Sequence, residues 1–277
     1  MLIIEPLGGL CNRLRALDSA IAFAEENSIR LSVVWILGPS CNCRFSDLFM
    51  IPKKVCKLFE PVVGPLEFLL RRIVDVCCVV LPDYFVDLWR IKELRSELGS
   101  DCRGIGDYLR RSAGDHSIFL HSYSRFYYSS SSAPFSSFVP KKPIQDVIDG
   151  YGVENMIGVH IRRTDNQRSI INAPFEKFVQ YMQAEIDADC DAMFFLATDD
   201  PKIEIALKHR FPRRIVTHVK KSLDRNNPIA IRDAVVDLYC LSNCRKLLGT
   251  YWSSFSETAS QIRGIDIIMV GPAGERT

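Results

Sequence analysis

The densest grouping of reactive side chains is the stretch Ile157-Gly-Val-His-Ile-Arg-Arg-Thr-Asp165, in which a short apolar run ends on His160, Arg162, Arg163 and Asp165. Adjacent guanidinium groups are permanent cations whose planar forks bind phosphate oxygens in pairs. At the end of a buried strand in an open α/β sheet they stand where an anionic ligand binds. A surface ion-pair cluster is the other reading these residues allow. Polar signatures close two later strands as well: Thr198, Asp199 and Asp200 follow one, and Thr250, Ser253 and Ser254 follow another. Asp233 and Asp237, one turn apart, share a helix face. Singly, each reads as an ordinary helix cap or solvated face. In a parallel sheet, however, the C-terminal ends of the strands lie along one edge, so these groups are expected to converge on one crevice suited to a nucleotide phosphate. Asp199-Asp200 would also suit a divalent cation held against a diphosphate, although arginines that already supply positive charge make a metal less necessary.

A second phosphate-facing candidate opens the chain. Residues 1–5 read as a strand, Leu7-Gly8-Gly9-Leu10-Cys11-Asn12-Arg13-Leu14 follows, and a helix then runs to about Asn27 with Ala16, Ala20, Phe23 and Ala24 as its apolar stripe. Strand, glycines and helix is a layout that aims backbone amides at an anion. The third glycine of G-x-G-x-x-G is missing, so this is not the dinucleotide fingerprint, and a tight turn needing glycine for its backbone angles accounts for it equally. No G-x-S-x-G or H-E-x-x-H occurs, and no cysteine sits in a catalytic context.

The elements that must position these groups alternate. Arg30 to Trp35 and Ser117 to His121 read as strands. The stretch from Leu37 to Asp115 is poorly patterned and holds one expected helix, Leu88 to Leu98. The serine-rich residues 129–137, with Pro140-Lys-Lys-Pro143, are the best linker candidate. The domain boundary therefore falls between 140 and 152 and is placed at 148/149. Beyond it come the strand 157–161, a helix from Pro174 to about Asp187, a strand 193–197, a helix Pro201 to His209, and a strand 214–217. The helix from Pro228 to Asn243 follows, capped by Asn227 with Pro228 in its first turn. A strand 246–249, a capping-box start at Ser254-Phe-Ser-Glu257, and a last strand 265–270 complete the alternation. This order predicts a doubly wound α/β architecture of two domains.

Composition narrows the class. With 277 residues, 47% hydrophobic and 25% charged, the chain has the make-up of a soluble globular protein able to build a large core. A net charge of +2 gives no reason to expect a nucleic-acid surface. The start lacks the basic head and apolar stretch of a signal peptide. Val62 to Leu81, interrupted by Glu67, Arg71, Arg72 and Asp75, is not a membrane span, but with Lys53, Lys54 and Lys57 beside it peripheral membrane contact is open. The cysteine spacings match no zinc site, which favours free thiols in a cytosolic protein.

Three segments together carry a family resemblance. Val159-His-Ile-Arg-Arg-Thr-Asp165, Phe195-Leu-Ala-Thr-Asp-Asp-Pro201, and Asp237-Leu-Tyr-Cys-Leu-Ser242 followed by Gly249-Thr-Tyr-Trp-Ser-Ser254 resemble the three ordered motifs of the α1,6-fucosyltransferases and nodulation fucosyltransferases of the NodZ type. Related motifs occur in α1,2- and protein O-fucosyltransferases, and Gly8-Gly9-Leu-Cys-Asn-Arg13 is similar to their N-terminal loop. The resemblance implies a GT-B-like pair of Rossmann-type domains, with an N-terminal acceptor side and a C-terminal donor side. It implies inverting transfer of fucose from GDP-fucose to a glycan, without a metal. Under it, Arg162 grips the β-phosphate, with Arg163 and Asp165 beside it as the expected catalytic group. His160 and Asp237 face the guanine, and Ser253 or Ser254, with Thr250, caps the diphosphate at a helix N-terminus. Asp199 and Asp200 shape the sugar pocket, and Gly8, Gly9, Asn12 and Arg13 complete the donor contacts. The sequence departs from the family in one respect: Asn166-Gln-Arg-Ser-Ile-Ile-Asn172 contains no counterpart of the α1,6 enzymes' glutamate. The base is thereby unassigned, with Asp165, Asp18 and Glu5 as candidates and an SN1-like route with little base assistance as the alternative. A cytoplasmic enzyme of bacterial surface-glycan synthesis, working at the inner membrane face, is the expected setting. Use of another nucleotide sugar, or non-catalytic binding of a nucleotide or glycan, are the alternatives.

Overall fold

The computed structural model describes residues 1–62, 87–90, 102–112, 117–164 and 167–272. The chain divides into two compact units, one formed by residues 1–141 with 224–231, the other by residues 142–223 with 232–277.

The first unit is built on a parallel five-stranded sheet. Its strands are β1 (Leu2–Pro6), β2 (Leu31–Val34), β3 (Val55–Phe59), β4 (Asp87–Arg90) and β5 (Ile118–Ser122), in the order β3-β2-β1-β5-β4. β1 is central and both its faces are covered, so Leu2 and Ile4 are buried along with the helix residues Leu14, Leu17 and Phe23. The helix Leu10–Glu26 begins directly after Gly9 and lies against β1. Asp87–Arg90 is a strand, not the start of the helix expected from Leu88, because it pairs in parallel with β5 from Asp87↔Ile118 to Arg90↔His121. Residues 91–98 of that expected helix lie outside the described residues, as does most of the segment from Val62 to Leu81.

The serine-rich segment is not a free linker. Glu26, at the end of the first helix, accepts hydrogen bonds from the Tyr127 hydroxyl at 2.6 Å, the Ser130 N–H at 2.6 Å and the Ser129 and Ser130 hydroxyls at 3.2 and 2.9 Å. These donors hold its carboxyl down at about 2. Asp18 accepts from the Phe135 N–H at 2.9 Å and pairs with Arg125 at 2.6 Å. A run of small hydroxyl residues thus reads as linker from composition, yet it is folded onto two carboxylates.

The second unit carries the parallel sheet β10-β9-β6-β7-β8. Its strands are β6 (Ile157–Ile161), β7 (Phe194–Thr198), β8 (Ile215–Thr217), β9 (Lys246–Thr250) and β10 (Ile267–Val270). Counted within this unit the order is 5-4-1-2-3, the arrangement of a Rossmann half, with the strand order reversing between β6 and β9. β6 and β7 are buried at every position, as strands covered on both faces are. Val159, Phe194, Leu196 and Leu248 join Phe178, Met182 and Leu207 of the flanking helices in one core. No helix among the described residues is long and apolar enough to cross a membrane.

Candidate functional site

In the second unit the strand order reverses between β6 and β9, the place where an open α/β sheet forms a crevice. β6 stays paired with β7 as far as Ile161↔Thr198, but its pairing with β9 stops at Val159↔Leu248. Beyond that point a side chain replaces the ladder. The Thr250 hydroxyl donates to the His160 carbonyl at 2.6 Å and accepts the Arg162 N–H at 3.1 Å. Thr250 therefore fixes the backbone that carries Arg162.

The two arginines are placed differently. Arg163 is turned inward. Its N–H donates to Asp199 at 2.7 Å, and its guanidinium donates to the Ile170 carbonyl at 3.1 Å, tying the strand end to the helix Gln167–Asn172. Burial lowers its pKa, against the pull of Glu176, Asp199 and Asp200. Arg162 is half-buried, at the strand end that Thr250 holds. Asp199 accepts three donors from the segment after β6: the Arg163 N–H, the Thr164 N–H at 3.4 Å and the Thr164 hydroxyl at 2.7 Å. Asp200 accepts the Lys202 N–H at 2.9 Å as the N-cap of the helix Pro201–Arg210. Asp199 thus shapes the loop that presents the arginines, while Asp200 starts the next helix. Asp165 lies outside the described residues.

On the other side of the crevice Ser256, fully buried, joins strand to helix. Its Oγ accepts the Thr250 N–H at 3.0 Å and lies 2.7 Å from His160 Nδ1. The direction of this bond follows the ring's tautomer, since the serine hydroxyl can donate to Nδ1 or accept from it. Burial holds the His160 pKa down at about 3, with Asp199 opposing and Arg162 and Lys220 assisting, so the ring is uncharged at neutral pH. Phe255 stacks on it at 4.8 Å. The close approach of helix to strand needs Gly249, where a Cβ would stand 2.8 Å from both Ser256 Cβ and Ile267 Cδ1.

The helix Ser254–Arg263 is capped by Ser253, not by Ser254, and the expected capping box does not form: Ser253 makes no side-chain cap bond. Its Oγ is buried with no hydrogen-bond partner, directly beside the open amides of the first helical turn. Trp252, half-exposed, precedes it in the left-handed region at φ 59°.

A buried carboxylate completes the unit. Asp237, on the helix Pro228–Asn243, is 3% exposed. Its Oδ2 is 3.0 Å from Lys220 Nζ, while Oδ1 is buried with no partner. Burial pushes its pKa up to about 6 against the pull of Lys220. Next to this pair, His218 bridges the Tyr151 hydroxyl at 2.9 Å and Asp233 at 3.1 Å. Lys220, Phe255, Ser256, Tyr151 and His218 were not legible as site residues. Lys220-Lys221 reads as a solvated charge pair, and Ser256 as one serine among several at a helix start.

In the first unit Gly8 adopts φ 80° and Gly9 precedes the helix. Arg13 is buried and donates to the Gly8 carbonyl at 2.8 Å and to the Ile36 carbonyl, with its guanidinium 5.1 Å over Trp35. It braces the loop from within. Asn12 accepts from Arg15 at 2.9 Å. The two further carboxylates considered as bases are both buried and already engaged: Asp18 pairs with Arg125, and Glu5 lies 3.4 Å from His121 Nδ1. Among the described residues no three His, Cys, Asp or Glu side chains cluster as metal ligands.

The fold is shared with solved fucosyltransferases. The fucosyltransferase NodZ from Bradyrhizobium matches at a TM-score of 0.59 and 16% identity over 100% of this chain and 97% of that one. Arabidopsis thaliana FUT1 matches at 0.58 and 12%, over 99% of this chain and 70% of that one. POFUT1 matches at 0.55 and 14%, over 98% of each. Structures of NodZ soaked with GDP-fucose and of POFUT1 in complex with GDP-fucose are among the matches. No protein-family model matches the chain, and no curated protein does. The architecture is GT-B-like α/β, and the solved structures that share it come from the group whose motifs the sequence resembles.

Proposed function

We propose that the chain is an inverting glycosyltransferase that transfers fucose from GDP-fucose to a glycan acceptor, with the nucleotide held by the second unit. The observation that carries this reading is the grouping of three features in one unit. Arg162, the open N-terminus of the helix Ser254–Arg263 and the buried Asp237 with an unpartnered oxygen all belong to the same unit. An arginine beside a helix N-terminus suits a diphosphate. A buried carboxylate with acceptor capacity to spare suits a base edge that offers N–H donors. Sharing a fold with NodZ and POFUT1 supports the choice of donor.

In this reading charge develops on the β-phosphate as the sugar departs. Arg162, oriented through Thr250, stabilises it more in the transition state than in the ground state. Arg163 and Asp199 hold the strand end that carries Arg162. In the tautomer whose Nδ1 accepts from Ser256, His160 offers Nε2–H to the nucleotide. With Glu5 and Asp18 engaged elsewhere, the proposed route is dissociative, with Asp165 as the base candidate that remains. No metal is needed where Arg162 and helix amides neutralise the leaving group, so activity should survive chelation.

The test is a thermal-shift series with GDP-, UDP-, ADP- and dTDP-sugars, followed by donor hydrolysis without acceptor. Selective stabilisation by GDP-fucose with slow release of GDP and fucose is expected. Stabilisation by another nucleotide sugar overturns the donor, and tight binding with no turnover over days overturns catalysis.

A further inference from the structure

We propose that Lys220 sets which nucleobase the second unit accepts, by holding Asp237 as a carboxylate that selects a base edge with two N–H donors. The inference rests on the reading of this unit as a nucleoside-diphosphate site.

The geometry is specific. Asp237 is almost fully buried, and the Lys220 ammonium occupies one side of its Oδ2 at 3.0 Å. Oδ1 has no partner and is buried. A buried acceptor left open is costly unless a ligand fills it. The surrounding groups come from four elements. Lys220 and His218 belong to the segment after β8, and Asp233 and Cys240 to the helix of Asp237 itself. Tyr151 comes from the segment before β6, and His160 from β6. After burial, Lys220 has the largest influence on Asp237; His218 acts in the same direction and Asp233 against it. His218 is already shared between Tyr151 and Asp233, and His160 is uncharged. The balance between a charged and a neutral Asp237 therefore turns on Lys220.

That balance decides recognition. An ionised carboxylate offers only acceptors, which match the adjacent N1–H and exocyclic amine of guanine. A protonated carboxyl offers one donor and one acceptor, which match N1 and the exocyclic amine of adenine instead. Removing the ammonium raises the carboxyl pKa and converts the first pattern into the second. Lys220 acts through Asp237, as a positioning residue, and needs no contact with the ligand.

The experiment uses the full chain with GDP and ADP as probes. Calorimetric affinities are measured from pH 5.5 to 9 for the parent, Lys220→Met, Lys220→Gln and Lys220→Arg. A 13C titration of the Asp237 carboxyl without ligand runs in parallel. The parent should prefer GDP at pH 8 by about tenfold or more, as expected for paired hydrogen bonds to a charged acceptor. In Lys220→Met and Lys220→Gln the preference should collapse at pH 7 and return at higher pH. Their Asp237 titration should move up by about one unit or more. Lys220→Arg should keep the parent profile. Either of two results overturns the proposal: an Asp237 titration unchanged in Lys220→Met and Lys220→Gln, or equal weakening of GDP, ADP and inorganic pyrophosphate with an unshifted pH profile, which would make Lys220 a phosphate contact. A parent that shows no preference for GDP at any pH, while its Asp237 titration does follow Lys220, would instead fault the nucleotide reading and leave the coupling between the two residues standing.

Discussion

Replacing Ser256 by alanine isolates the joint between β9, its following helix and His160. The Ser256 Oγ is fully buried and serves two groups at once: the Thr250 N–H at 3.0 Å and His160 Nδ1 at 2.7 Å. Ser256→Ala keeps the Cβ that packs beside Gly249 and removes only the hydroxyl. Two buried polar groups then lose their partner, and each orphaned group costs about 1–3 kcal/mol. The expected destabilisation is about 2–6 kcal/mol, with the upper end reached only if water is excluded from the gap. Thr258, on the same helix, is the contrast. It is fully buried, but its Oγ1 has no hydrogen-bond partner, so Thr258→Val should be neutral or stabilising by about 1 kcal/mol. Urea unfolding measures both changes, and amide hydrogen exchange locates the first, since Thr250 should lose most of its protection in Ser256→Ala. An unfolding free energy within about 0.5 kcal/mol of the parent, with Thr250 protection intact, would refute the reasoning and show the joint to be held by packing alone.

Arg162→Lys and Arg162→Ala should both keep a near-parent melting temperature without ligand and lose about 100- to 1000-fold in donor hydrolysis, since one ammonium cannot reproduce a forked contact; a lysine variant that turns over like the parent removes Arg162 from the diphosphate. Trp252 sits at φ 59°, a region that costs a residue with a Cβ roughly 1–2 kcal/mol, so Trp252→Gly should be more stable than Trp252→Ala by about 1 kcal/mol in thermal melts, and the reverse order contradicts the strain. His160 is depressed from 6.5 to about 3, so it adds stability above 6.5 that is lost as pH falls through 3, whereas Asp237, raised from 3.8 to about 6, adds stability below 3.8 that is lost as pH rises through 6. Between about pH 4 and 6 the two slopes oppose each other, so Asp237→Asn should make stability rise more steeply with pH there, and unfolding curves of equal slope for parent and variant would show that Asp237 titrates normally.

The sequence by itself determined the elements whose patterns are local. The run at 157–161, with Ile157, Val159 and Ile161 on one face, becomes β6 unchanged in extent and is buried at every position, Gly158 and His160 included. The helix Pro228–Asn243 was legible to the residue: Pro228 stops it at one end, and Asn227 accepts the Ile229 N–H at 2.9 Å as its cap. β3 and β4 were not legible: both are edge strands of their sheet, and neither Val-Cys-Lys-Leu-Phe nor Asp-Leu-Trp-Arg alternates apolar with polar residues along its length. At the site, the adjacent arginines were visible as a phosphate signature from their chemistry alone. That Arg163 turns inward to the Ile170 carbonyl while Thr250 fixes the backbone of Arg162 depends on where β9 stops pairing, which no local window contains. The same holds for the ionisation of Asp237. Lys220 lies far along the chain in a segment that reads as solvated, and only the packing of the loop after β8 against the helix Pro228–Asn243 sets its ammonium on the buried carboxylate. Residue types carry charge and shape, but which charge is buried, and which cation meets it there, is a property of distances that the fold alone creates.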